Sequence, residues 1–197
     1  MTKIAVLVSG GGTNLQALID ARGKNALGGG ELSLVVSSRA NAGALERAEK
    51  AGIKSIIIER KKYADSGDFD CALAGALAEH NIDLAVLAGF LCVLGPQMIK
   101  KFENRIINVH PSLIPSFCGK GYYGLRVHEE VLKYGVKVTG ATVHFVDETV
   151  DGGKIILQKA VDVLSGDTAE SLQQRVMREA EWELLPKAVA MYCGNLL

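Results

Sequence analysis

The sequence predicts an α/β fold: a mostly parallel sheet with helices on both faces and an antiparallel hairpin towards the C-terminus. Three observations carry this reading. Short apolar runs at 4–8, 32–36, 55–58, 84–88 and 106–109 alternate with segments whose apolar residues recur at helical spacing. The runs end in glycine, serine, proline or charged residues, as buried strands of a parallel sheet do. Beyond residue 137 the pattern changes to two alternating stretches, 138–146 and 155–161, with Asp151-Gly152-Gly153 turning the chain between them. Alternating strands and helices place ligands at the C-terminal ends of the strands.

Taken in order, Ile4 to Val8 runs into Ser9-Gly10-Gly11-Gly12, and Thr13-Asn14 follows where a helix cap belongs, with Leu15, Leu18 and Ile19 at helical spacing. Strand, glycine loop and helix start form an arrangement that binds phosphate on free N–H groups, although a tight βα turn alone also explains it. A Walker loop is excluded because no lysine follows. The dinucleotide fingerprint fits Gly10 and Gly12 but then meets Leu15, and the second strand ends in Ser37-Ser38-Arg39 instead of an acid. Arg39 suits a 2′-phosphate, which keeps an NADP-dependent oxidoreductase as an alternative.

Residues 24–31 read as a loop, 42–51 as a helix stopped by Gly52, 61–67 as polar loop, and 69–80 as a helix. After Leu84 to Ala88 come Gly89-Phe90-Leu91 and a helix opened by Gly95-Pro96, running to Phe102. The fifth run then enters Asn108-Val109-His110-Pro111-Ser112-Leu113. In a strand, residues two apart share a face, so Asn108 and His110 point the same way and Val109 the other. An amide and an imidazole side by side suit stabilisation of a developing oxyanion. Residues 117–124, rich in glycine and aromatics, read as a lid, and 127–134 as a short helix. Asp167 or Thr168 caps a terminal helix through Met177 and Trp182, with a kink or break expected at Pro186.

Composition narrows the function classes. The 197 residues suit one domain, and 22 basic residues balance 22 acidic ones, so overall charge gives nucleic-acid binding no help. The four cysteines, at 71, 92, 118 and 193, are scattered, which argues against a zinc cluster and for free thiols in a reducing cytoplasm. Histidines 80, 110, 128 and 144 lack metal-ligand spacing, so no metal is expected, and His144 is expected to face the hairpin's interior or to bond locally, not to act in catalysis. No run reaches membrane-spanning length, and no signal peptide is expected before a strand that starts near Lys3.

Ser9 to Gln16, Ala88-Gly89-Phe90, Asn108 to Leu113, His144-Phe145-Val146 and Asp151-Gly152-Gly153 occur in one order across nearly the whole chain. Together they resemble the folate-dependent phosphoribosylglycinamide formyltransferases. The resemblance implies a Rossmann-like formyltransferase domain over 1–197 that moves a formyl group from 10-formyltetrahydrofolate to the amine of glycinamide ribonucleotide. It implies Asn108, His110 and Asp151 as the catalytic trio, with Asp151 raising the His110 pKa and relaying protons through water. Gly12, Thr13, Asn14, Pro111 and Glu181 match the ribonucleotide site. Leu91, Cys92, Val93 and Leu94, with Asn108, Asp147 and Asp151, match the folate site. Cys92 stands where some members carry arginine. The family's arginine near the folate tail has no counterpart, since Ser66-Gly67 fall there, leaving Lys61 or Lys62 to substitute. The implied partners are small molecules, not nucleic acid or membrane, and the implied assembly is a monomer or homodimer. A non-catalytic folate or nucleotide sensor is the other alternative; it has no need for the whole trio.

Overall fold

The computed structural model describes residues 1–197. Seven strands form one sheet in the order β3-β2-β1-β4-β5-β6-β7. The strands are β1 (Thr2–Val8), β2 (Gly30–Ser37), β3 (Ser55–Ile57), β4 (Leu84–Leu87), β5 (Ile106–His110), β6 (Val138–Phe145) and β7 (Ile155–Asp162). The first five run parallel, while β6 is antiparallel to both β5 and β7. The chain leaves β1 for β2 on one side and returns to β4 on the other, so the order reverses between β1 and β4. Ligands of doubly wound sheets bind beyond such a switch point.

Helices α1 (Thr13–Gly23), α2 (Gly43–Lys50), α6 (Ala169–Val176) and α7 (Trp182–Cys193) contribute to the larger core, with α5 (Leu125–Tyr134) joining through Val131. Helices α3 (Ser66–Glu79) and α4 (Pro96–Lys101) cover the other face. Strand alternation divides the residues between them. Ile4, Val6 and Val8 enter the first core, Ala5 and Leu7 the second. Each fully buried leucine, isoleucine or valine contributes about 1.5–3 kcal/mol, which is why these central strands carry no polar position until their ends. On β5 the alternation decides the chemistry: Ile107 and Val109 belong to the first core and Ile106 to the second, so Asn108 and His110 continue the Ile106 face.

Two expectations need correction. The cap of α1 is Gly12, in the left-handed region at φ 75°, not Thr13 or Asn14. A Cβ at Gly12 would lie 2.7 Å from that of Ala44, and the Asn14 side chain is engaged elsewhere, so glycine alone fits the turn. The terminal helix does not break at Pro186, because α7 runs through it. The irregularity comes earlier, as one π turn at Met177–Glu181 between α6 and α7. Pro186 lacks the N–H that would meet the carbonyl of Trp182, so the gap falls where the π turn hands over to α7.

Candidate active site

Beyond β1, Gly10 to Gly12 lead into α1. The N–H groups of Gly11, Gly12, Thr13, Asn14 and Leu15 donate to nothing within the chain; the first backbone bond of the helix is Gln16 N–H to Gly12 C=O at 2.9 Å. Five free donors at a helix start form an anion cradle. Arg47 of α2 holds the loop from behind, donating from Nε to the Gly11 carbonyl at 2.8 Å and from a guanidinium nitrogen to Gln16 Oε1 at 3.0 Å. The Asn14 side chain turns inward and donates from Nδ2 to Glu181 Oε2 at 2.6 Å. Glu181 sits on the π turn and is 5% exposed, buried where a surface helix acid would be solvated. Burial pushes its carboxyl pKa up, against the Asn14 hydrogen bond.

Two strands along the sheet, roughly 10 Å at ordinary strand spacing, lies the second cluster. His110 Nε2 is 2.9 Å from the Phe117 carbonyl, which can only accept, so that nitrogen carries a proton. His110 Nδ1 faces Asp151 Oδ2 at 3.5 Å. Asn108 Nδ2 lies 3.1 Å from His144 Nε2 and 3.5 Å from Asp151 Oδ1. The Gly119 N–H donates to Asp151 Oδ2 at 2.9 Å. Asp151 reaches this point because its turn is tight: its own φ is 57°, and a Cβ on Gly153 would fall 1.9 Å from the Phe145 carbonyl. Phe117 also has a positive φ, 50°, a conformation bulky residues avoid.

The electrostatics set two effects on His110 against each other. Burial lowers the His110 pKa, and this outweighs the upward pull of Asp151 and of the Phe117 carbonyl; His144 adds to the lowering. Asp151 does favour the imidazolium, as expected, but the ring is 4% exposed and desolvation wins. At neutral pH His110 is therefore neutral in the free protein. For Asp151, burial acts upward, yet the His144 and His110 rings in their charged forms, with His144 Nε2 3.7 Å from Oδ1, and the Gly119 N–H together hold its pKa below the ordinary value.

Serine hydroxyls tie the loops between the two clusters. Ser9 and Ser38 share a 2.6 Å hydrogen bond, and Ser9 Oγ accepts from the Leu91 N–H at 2.8 Å. Leu91 and Val93 expose apolar side chains, Cys92 is half-buried and Leu94 is buried. The N–H groups of Cys92, Val93 and Leu94 make no bond within the chain.

The profile of the family described as "Formyl transferase" matches residues 2–189. The chain belongs to the formyl transferase family. Among its relatives is the "Trifunctional purine biosynthetic protein adenosine-3" of Gallus gallus, 47% identical over 98% of this chain, which spans 18% of that relative's length. The chloroplastic phosphoribosylglycinamide formyltransferase of Vigna unguiculata is 40% identical over 97% of the chain and 61% of its own length. The crystal structure of glycinamide ribonucleotide transformylase 1 from Symbiobacterium toebii superposes with a TM-score of 0.93 at 42% identity, covering 99% of this chain and 89% of that one.

Within this formyl transferase, Asn108, His110 and Asp151 come together, and Asn14 meets Glu181. Thr13 opens α1 and Pro111 follows His110 directly at the rim. Asp147 is exposed and accepts from the Thr149 N–H at 2.8 Å, shaping the turn that carries Asp151. Lys61 and Lys62 are not free: their ammonium groups lie 3.2 and 2.6 Å from the Glu59 carboxylate, which competes for any tail-binding role. Sequence reasoning missed Arg47, Phe117, Gly119 and the Asn108–His144 contact. Arg47 and Gly119 act on backbone or through it, and no residue pattern signals that. His144 could have been found from its place opposite Asn108 in the β5–β6 register. No helix is long and apolar enough to cross a membrane.

Proposed function

We propose that this chain transfers the formyl group of 10-formyltetrahydrofolate to the amine of glycinamide ribonucleotide, giving the N-formyl product and tetrahydrofolate on the route to purines. The observation that carries this is one rim holding both a five-donor anion cradle and the amide, imidazole and carboxylate of Asn108, His110 and Asp151. Gly12, Thr13 and Asn14 hold the ribonucleotide's phosphate, while Glu181, with Pro111 beside the reacting centre, receives its amino end. The folate fits the wall at 91–94: free N–H groups suit a pterin edge, and Leu91 and Val93 offer apolar side chains to its faces. The 147–151 turn closes that wall and brings Asp151 to it.

The amine attacks the formyl carbon, and negative charge collects on the formyl oxygen. Asn108 and His110 donate N–H groups to that oxygen, once the Phe117 carbonyl gives up the His110 Nε2 proton. The amine must lose a proton and the departing folate nitrogen must gain one. A neutral His110 takes it, directly or through water, because the ion pair with Asp151 stabilises the imidazolium at that moment. The proton then passes to the leaving nitrogen. The 197 residues act as one domain, in the cytoplasm, on small molecules without nucleic acid, as a monomer or homodimer.

The test is absorbance of a formyl-folate, with and without glycinamide ribonucleotide, on the parent and on His110→Ala. Deformylation that needs the ribonucleotide and collapses in the variant supports the reading. Release without ribonucleotide makes the chain a hydrolase, and no folate chemistry refutes both.

A further inference from the structure

We propose that His144 is a positioning residue that sets the Asn108 amide, keeping its NH₂ and not its carbonyl turned towards the reacting oxygen. The inference rests on the function proposed above and adds a residue to that site. His144 is directly opposite Asn108 in the β5–β6 pairing, and Thr142 is opposite His110, so both pairs lie on one face. An extra residue in β7, Ile156, interrupts the register between the partners of Val143 and His144, a bulge of the kind that re-aims a side chain. The ring is 1% exposed.

Its two nitrogens have fixed roles. Nδ1 is 2.7 Å from the Phe145 carbonyl, which can only accept, so Nδ1 holds the proton. When the ring is neutral, Nε2 is then a lone pair that accepts from Asn108 Nδ2 at 3.1 Å, with Asp151 Oδ1 3.7 Å from the same nitrogen. The second N–H of the amide points towards Asp151 Oδ1, 3.5 Å away, too far for a strong bond, and is therefore the one available to substrate. Turned over, the amide would set its carbonyl oxygen against an imidazole lone pair and a carboxylate together. His144 and Asp151 thus decide an orientation that Asn108 cannot hold alone.

Three measurements test this. In His144→Leu, kcat should fall about tenfold to a hundredfold, short of the roughly 10²–10³ of losing a donor outright, with both KM values within about threefold. His144→Gln, whose carbonyl can accept from Asn108, should recover much of the loss, and melting curves show whether each variant is folded. In an Asn108→Ala background, His144→Leu should cost nothing more; full additivity would overturn the proposal. The third needs no activity: ¹⁵N shifts of the native protein's imidazoles should show His144 protonated on Nδ1 and bare on Nε2. A proton on Nε2, whether Nδ1 is bare or protonated, overturns the proposal even if the transfer reaction is confirmed. Absence of ribonucleotide-dependent transfer by the parent would refute the function instead, and the ¹⁵N result would still decide the contact.

Discussion

Lowering the pH should destabilise this protein through His128. The residue lies on α5, is wholly buried, and neither ring nitrogen has a partner. Burial, reinforced by nearby His110, lowers its pKa from 6.5 to about 4. The unfolded chain binds the proton in the window between those values and the folded chain does not, so stability is complete above 6.5 and is lost as pH falls towards 4. The full loss is 2.5 units at 1.36 kcal/mol each, about 3.4 kcal/mol, of which about 2 kcal/mol is gone by pH 5. For a chain of this length, 2 kcal/mol is a drop of about 4–8 °C in Tm. Calorimetric melts of the parent and of His128→Leu at pH 7.5, 6 and 5 check it. His110, also lowered by burial, gives both proteins a slope of the same sign, so the readout is their difference. The variant should lose about 4–8 °C less than the parent between pH 7.5 and 5. Equal losses would show that His128 finds a partner or solvent when it is charged, and would refute the reasoning.

Three further outcomes follow from the geometry. Gly12→Ala forces a Cβ onto Ala44 in a left-handed turn, and should raise KM for the ribonucleotide about tenfold or more while leaving KM for folate unchanged; steady-state kinetics in each substrate decide it. Asp151→Asn removes the carboxylate that steadies a protonated His110, and should lower kcat by about 10² or more; full rate with an unchanged pH profile would remove Asp151 from the mechanism. Arg175 holds the Asp167 carboxyl well below the usual range, with Leu164 N–H and Ser171 assisting. That contribution is present above the unfolded pKa of about 3.9 and lost on acidification through the lower folded value, so the Tm gap between the parent and Asp167→Asn should narrow steadily as the pH falls from about 5 to 2.

The strands were legible because burial on both sides leaves continuous apolar runs, and the face shared by Asn108 and His110 follows from a period of two. The cap of α1 was misjudged because Thr13 and Asn14 are good capping types. What decides the position is backbone packing, with Ala44 against Gly12, and that has no signature in residue type. The net titration of His110 is hidden in the sequence for a related reason. A carboxylate 41 residues further along the chain can be inferred from the resemblance, but the depth of burial that opposes it depends on how loop 112–124 seats over the strand end. The buried state of Glu181 was equally hidden, since an acid on a terminal helix looks solvated until the helix is placed.

The π turn at Met177–Glu181 makes the last helix a two-register element. Leu172 and Val176 face the core ahead of it, and Leu184, Leu185, Ala188 and Val189 face the same core after it. Excising one residue from the turn would restore α spacing between the two halves and rotate one by about 100° against the other. Either an apolar face would swing into water, or Glu181 would swing away from Asn14. The surplus residue is therefore a phase adjuster: it lets one helix serve the hydrophobic core along its length and still deliver a carboxylate to the rim at the right angle.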